Sequence, residues 1–213
     1  MKVPLVIRLL VGRGWGQGPQ HSQSLQSIFA HIPGLKVVMA ATPYDATGLL
    51  ISAIEDDNPV VFIEHRWLHG LTGDVPQGYY ATPIGTARIV QKGKDVTIVA
   101  ASHMTIEAIR AATALMGEGI HAEVVDLRSV RPLDRETILR SVKKTHRLIV
   151  ADTGWKSFGI GAEIVAMVAE SGVRLEVPPV RIALPDMPTP TSPAIAAAYY
   201  PTSIDVFRIV LTL

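Results

Sequence analysis

Three groups of residues in this sequence could do chemistry. The first is the run Gly12-Arg13-Gly14-Trp15-Gly16-Gln17-Gly18-Pro19-Gln20-His21-Ser22, a glycine-rich loop that leads into a histidine. Glycine lets the backbone approach a ligand closely, and an imidazole titrates near neutral pH, so His21 could exchange protons or hydrogen-bond a developing oxyanion. A helical pattern from about Ser22 to Ile32 would put His21 at a helix N-terminus, where the local field disfavours an added proton. A capping role fits the same position. The second group is Asp56-Asp57-Asn58, at the expected end of a helix. Helix-terminal carbonyls with carboxylate and amide oxygens can hold a hard cation, and a solvated polar helix end fits equally. The third is His65 and His69, with the i, i+4 spacing of a zinc motif but with Arg66 where its glutamate belongs.

Other signatures fail on single residues. Gln17 and Pro19 stand where a dinucleotide fingerprint needs its third glycine, and Ile160 stands where Walker spacing from Gly154 and Gly159 needs lysine. Ser22 beside His21 makes no triad, because neighbouring side chains diverge and no nucleophile elbow is present.

The elements that would position these groups alternate between short apolar runs and helical patterns. Strands are expected over Val3–Leu9, Leu35–Met39 and Val60–Ile63. Thr42-Pro43-Tyr44-Asp45 forms a capping box that opens the helix carrying Leu49, Leu50 and Ile54. From His65 to Thr82 the pattern breaks. A second series follows, with strands near Ala87–Val90, Val96–Ala101, Ala122–Leu127, Leu148–Ala151 and Val180–Leu184. Its helices fall near Ile106–Met116, Leu133–Val142 and Ile160–Ala169, with a last one from Ile204, capped by Thr202 and Asp205. Such alternation specifies an α/β fold with parallel sheets. The expected division is 1–64, a linker 65–81, and 82–213. The first unit is short for a parallel sheet that needs both faces covered.

Composition removes several classes of function. Lys plus Arg number 20 against 19 Asp plus Glu, a net charge of +1, so no basic nucleic-acid surface is expected. There are no cysteines, which excludes disulfides, thiolate metal sites and a cysteine nucleophile. No apolar run approaches the ~18 residues of a membrane span. Pro4 and Arg8 interrupt the N-terminal apolar stretch, so a cytoplasmic location and no membrane partner are expected. Apolar residues at 48% of 213, with little net charge, point to surfaces buried in a homodimer or higher assembly.

The segments G-Q-G-P-Q-H-S-Q-S, H-I-P-G-L-K-V-V and T-P-Y-D-A-T-G-L-L-I-S-A-I-E-D-D-N-P-V-V-F-I-E closely resemble the beta subunit of thiamine-diphosphate-dependent 2-oxo acid dehydrogenases. That group includes the pyruvate, branched-chain and acetoin enzymes. V-D-L-R-S-V-R-P-L-D and T-G-W-K-S-F-G-I-G-A-E-I resemble its transketolase C-terminal domain. The resemblance implies a partial pyrimidine-binding domain with a parallel sheet, followed by a transketolase C-terminal-type α/β domain. It implies a chain beginning inside the pyrimidine-binding domain, without the segment whose glutamate engages the cofactor's aminopyrimidine. His21 matches the family's active-site histidine, framed by Gln20 and Ser22 in the cleft. Leu5, Ala53, Ile54, Asp56 and Asn58 match positions that hold potassium in some members, which favours the cation reading there. Thiamine diphosphate with magnesium would be shared with an alpha subunit, and the acyl group passed to the lipoyl arm of an acyltransferase core. Alone, the chain would be inactive. A split transketolase, or a non-catalytic assembly module docking on the acyltransferase core, are the alternatives.

Overall fold

The computed structural model describes residues 2–213. Its first sheet is built on three parallel strands, β1 (Val6–Val11), β2 (Lys36–Met39) and β3 (Val60–His65), with α1 (Gln26–His31) and α2 (Pro43–Glu55) between them. β3 lies in the middle, in register with β1 from Val6↔Val60 to Val11↔His65 and with β2 from Lys36↔Val60 to Met39↔Ile63. Its run Val60-Val61-Phe62-Ile63 is buried throughout, as a strand covered on both faces requires. Thr42 caps α2: its Oγ1 accepts the Asp45 N–H at 3.1 Å, and Pro43 supplies the first helical residue.

The second sheet contains β4 (Arg88–Gln91), β5 (Val96–Ala100), β6 (Ala122–Asp126), β8 (Leu148–Trp155) and β9 (Val180–Leu184), in the order β4-β6-β5-β8-β9. β4 is antiparallel to β6 and the other pairs are parallel. The helices of this half are α3 (His103–Leu115), α4 (Arg135–Thr145), α5 (Ile160–Glu170), α6 (Pro193–Tyr199) and α7 (Ser203–Val210). α3 and α7 cover one face with Met104, Ala108, Leu115, Val206 and Val210. The α/β class with parallel sheets is as the sequence implies. None of the described helices is long and apolar enough to cross a membrane.

Three elements differ from expectation. β7 (Ser129–Arg131), too short for a periodic signal, leaves the second half and pairs antiparallel with β2, making the first sheet β1-β3-β2-β7. α6 forms inside a proline-rich stretch, with Pro193 at its first turn, where a missing N–H costs nothing. The expected helix from Ser22 shrinks to Gln26–His31, because Ser22 and Ser24 both turn inward and are buried, an alternation that a helix cannot give.

The two halves share one core. Val11, Val37, Met39, Val61 and Ile63 of the first sheet pack in the same cluster as Val99, Val125, Leu127, Val130 and Val150. Several ties cross this junction, one of them a buried ion pair and another a stack of rings. The Arg128 Nη1–H donates to Asp45 Oδ1 at 3.0 Å and its Nε–H to the Thr86 carbonyl at 2.9 Å, with Asp45 fully buried. Arg128 takes a positive φ of 54° to do so, a conformation that strains a side chain other than glycine. Beside it, Asp126 accepts from Thr105 Oγ1 at 3.1 Å, and burial with the nearby Asp45 pushes its carboxyl up to about 7. Another tie is aromatic. His65 stacks on His103 with ring centroids 4.8 Å apart, and Trp67 meets the edges of both His103 and Tyr200. His65 Nδ1 accepts the Trp67 N–H at 3.3 Å. Burial, then the neighbouring His103, His69 and Arg66, push the His65 imidazole down to about 3.

Asp45→Ala leaves the Arg128 guanidinium buried and unpaired, a change that costs about 3–5 kcal/mol. Urea unfolding should show that loss, and an unchanged midpoint would mean water already reaches the pair. The lowered imidazole gives a pH dependence of defined sign. Unfolded His65 takes a proton below its ordinary pKa of ~6.5 while folded His65 resists, so its share of stability is present above ~6.5 and lost as pH falls toward 3, at up to ~1.4 kcal/mol per pH unit. Asp126, raised instead, loses its share as pH rises from ~4 toward 7, which opposes the His65 slope in the overlap. The difference between wild type and His65→Gln isolates the histidine. Urea midpoints from pH 4 to 7 should fall less steeply on acidification in the variant.

Candidate active-site cleft

The C-terminal ends of parallel strands are where α/β sheets bind ligands, and the glycine loop leaves β1 at such an end. At Gly12 the chain takes φ +80°, and a Cβ there would lie 2.5 Å from His65 Nε2, so both backbone conformation and space require glycine. The loop then crosses toward the second half. Arg13 donates to the carbonyls of Pro190 and Thr191, at 3.3 and 2.6 Å, and a Cβ at Gly18 would meet Thr191 Oγ1 at 2.3 Å. Gln17 Oε1 closes the turn by accepting the Gly14 N–H at 3.1 Å. Thus the loop is wedged between β3 and the connection that precedes α6.

His21 ends this loop in a single 3-10 turn, Pro19–His21, well before α1 begins. The helix-terminus field expected from the sequence therefore has no helix behind it. The side chain of His21 is exposed and makes no hydrogen bond among the described residues, while its carbonyl accepts from Arg66 Nη2 at 3.4 Å. Gln20 is exposed beside it. Ser22 turns inward, fully buried, with its hydroxyl unpaired. A cavity of about 370 Å³ lies at the ends of β2 and β3, lined in part by Thr42, Leu50, Phe62, Glu64, His65 and His69. Glu64 is bound by Arg8 at 2.6 Å and lies 3.3 Å from His69 Nε2, whereas His65 points into the interior. The two histidines of the zinc-like spacing thus face different surroundings.

The cation group gathers around the α2–β3 connection. Ala53 and Ile54 lie on the last turn of α2, Asp56 Oδ1 accepts the Asn58 N–H and Nδ2–H at 2.9 and 3.0 Å, and the Leu5 carbonyl accepts the Val60 N–H at 2.8 Å. The second oxygen of Asp56 is taken by the Lys36 ammonium, which with Asn58 holds this carboxyl below its ordinary range despite partial burial. A tethered cation already balances the charge that a bound ion would balance. Among the described residues no cluster of three or more His, Cys, Asp or Glu side chains could hold a metal ion.

Sequence reasoning missed the buried residues around this cleft. Asp152 accepts both Nε2–H contacts of Gln26, at 2.9 and 3.0 Å, and burial pushes its carboxyl up to about 6. His103 stacks under His65 from the other half. Neither belongs to a short motif, and no periodic signal could have singled them out.

Comparison with known proteins agrees with this architecture. Residues 1–70 match the transketolase pyrimidine binding domain, and residues 85–206 match the transketolase C-terminal domain. The beta subunit of acetoin:2,6-dichlorophenolindophenol oxidoreductase from Cupriavidus necator is 47% identical over 212 residues, which cover 96% of this chain and 61% of that protein. Its counterpart from Bacillus subtilis is 42% identical over 213 residues, covering 100% and 62%. The pyruvate dehydrogenase E1 component subunit beta of Porphyra purpurea is 46% identical over 189 residues, covering 88% and 57%. The chain spans about three-fifths of the length of these relatives. Among solved structures, a split gene transketolase described as an inactive beta4 tetramer matches at TM-score 0.82 and 26% identity, over 99% of this chain and 66% of that one. With a pyrimidine-binding half joined through one core to the C-terminal domain, this chain belongs to the transketolase family.

Proposed function

We propose that the chain is the beta-subunit part of a 2-oxo acid dehydrogenase, acting with an alpha subunit and passing an acyl group to the lipoyl arm of an acyltransferase core. The observation that carries this reading is His21, an exposed imidazole at the end of a glycine loop wedged between the two halves. The relatives named as pyruvate and acetoin enzyme beta subunits support the class. When bound, thiamine diphosphate would supply the carbanion chemistry of 2-oxo acid decarboxylation. The residues present fit its organic part: the cavity wall combines Phe62 and Leu50 with polar Thr42, and Gly12 carries no side chain against His65, one of the residues that line it. They do not fit its magnesium, for want of a ligand cluster among the described residues, so the diphosphate and its metal belong to the alpha subunit in this reading. His21 gives or takes a proton at a ring nitrogen during acyl transfer, with Gln20 beside it. Arg66 fixes the His21 carbonyl, and the loop contacts with Pro190 and Thr191 hold the backbone in place.

A second reading, ketol transfer by a split transketolase, is favoured by the structural likeness to such a protein. A sugar phosphate needs unoccupied basic groups at the cleft. Arg8 is paired with Glu64, Arg13 with two carbonyls and Arg66 with the His21 carbonyl, so the dehydrogenase reading is preferred. A cytoplasmic location completes the reading, although some relatives are named mitochondrial.

Mixed with an alpha subunit of the 2-oxo acid dehydrogenase class, the chain should form an assembly larger than either subunit alone, sized by light scattering, and acyl transfer to lipoate is read in a complex whose beta subunit also supplies the glutamate for the cofactor's aminopyrimidine. His21→Ala should lower that transfer by ~10²-fold or more, the scale of a lost proton-handling group. Unimpaired transfer would return His21 to a structural role. Potassium on Leu5, Ala53, Ile54, Asp56 and Asn58 is proposed as a further part of this reading, in competition with Lys36. Lys36→Met should gain thermal stability when potassium replaces sodium at constant ionic strength, and no gain would remove the ion from the scheme.

A further inference from the structure

Between β8 and the segment carrying His21 runs a buried polar seam that the proposed reaction does not use. Burial alternates along residues 21–26. His21 and Gln23 are exposed, whereas Ser22, Ser24 and Gln26 are buried. The Gln26 amide donates to both oxygens of Asp152, and the backbone N–H groups of Thr153 and Gly154 hold the same carboxyl. Gly154 makes this approach possible, since a Cβ there would stand 2.6 Å from Asp152 Oδ2 and 2.9 Å from Gln26 Nε2. Ser22 Oγ, Ser24 Oγ and Gln26 Oε1 are buried without a protein partner. Buried polar atoms are rarely left unpaired, and ordered water is the usual partner where protein supplies none.

An apolar pair would fill this space without the penalty of desolvating a carboxylate. What a directional pair adds is register. Shifting the segment by one residue would turn Ser22, Ser24 and Gln26 outward and bring His21 and Gln23 inward. The apolar contacts of Phe29 and Ala30 with the shared core are non-directional and tolerate some slippage, whereas the Gln26–Asp152 bonds form in one register.

We propose that Asp152 is the positioning residue for His21: through the Gln26 amide it fixes the register of residues 21–26 so that His21 faces outward. That His21 has work to do there rests on the beta-subunit reading; the register does not. Hydrogen exchange of the whole chain, read by mass spectrometry, separates the two. In Asp152→Ala the amides of 21–26 should exchange about 10-fold faster or more, while β5 and α4 keep wild-type protection, as local opening requires. Asp152→Asn keeps an oxygen acceptor for Gln26 and should restore most of that protection. Gln26→Leu removes the bond without removing a buried charge, and serves if Asp152→Ala does not fold. Unchanged exchange at 21–26 in a folded Asp152→Ala or Gln26→Leu protein overturns the proposal. In the reconstituted complex, faster exchange with a lower kcat at unchanged KM supports both claims. Faster exchange with unchanged kcat keeps the register claim and sinks the His21 reading.

Discussion

The buried pair between Asp45 and Arg128 is the constraint around which the two halves are arranged. Asp45 sits in the first turn of α2, where Thr42 fixes it, and Arg128 follows β6 in the other half. Neither charge could stay buried alone at tolerable cost, so the halves must dock in the one orientation that brings them together. The positive φ of Arg128 and the adjacent pairing of β7 with β2 belong to the same local solution, because the chain must turn sharply after Asp126 to enter the first sheet. The shared apolar core contributes most of the burial. Being non-directional, it does not select the docking angle.

That docking creates the cleft. The glycine loop leaves β1, passes His65 where no side chain fits, and is clasped by the Arg13 contacts to Pro190 and Thr191. His21 is thereby held at the boundary between halves, exposed, on backbone that is tied on both sides. The stacked His65 and His103 do the opposite kind of work. His65 is buried and its imidazole pushed down to about 3, His103 is half-buried with its pKa lowered by that burial, and the two rings pack under Trp67 and join the ends of β3 and α3. One imidazole is exposed, one is fully buried, and the third lies half-buried against His65 and Trp67.

Much of this was legible in the amino-acid order. Short β-branched runs separated by helical periodicity are local signals, so nearly every strand and helix of both parallel series was readable, as were the α2 cap at Thr42 and the α7 cap at Thr202 and Asp205. The loop from Gly12 to His21 was readable too, because glycine spacing and a following histidine lie within a few residues of one another. The resemblance of these motifs to a known family rested on the same contiguous residues.

The rest depended on partners distant in sequence. Nothing near Asp45 announces Arg128, and nothing near Gln26 announces Asp152, 126 residues away. β7 carries too few residues for a period and exists because β2 offers it an edge. The helix expected over Ser22–Ile32 lost its first turn because Ser22 and Ser24 face a buried seam and not solvent. Lys36 reaches Asp56 only because β2 and the end of α2 meet in space. The sequence by itself determined the elements, their order and the loop that bears His21, since those follow from neighbours along the chain. Which charges are paired, which imidazoles are buried and which way His21 faces were decided by the tertiary structure, because desolvation and directional hydrogen bonds act between groups that only folding brings together.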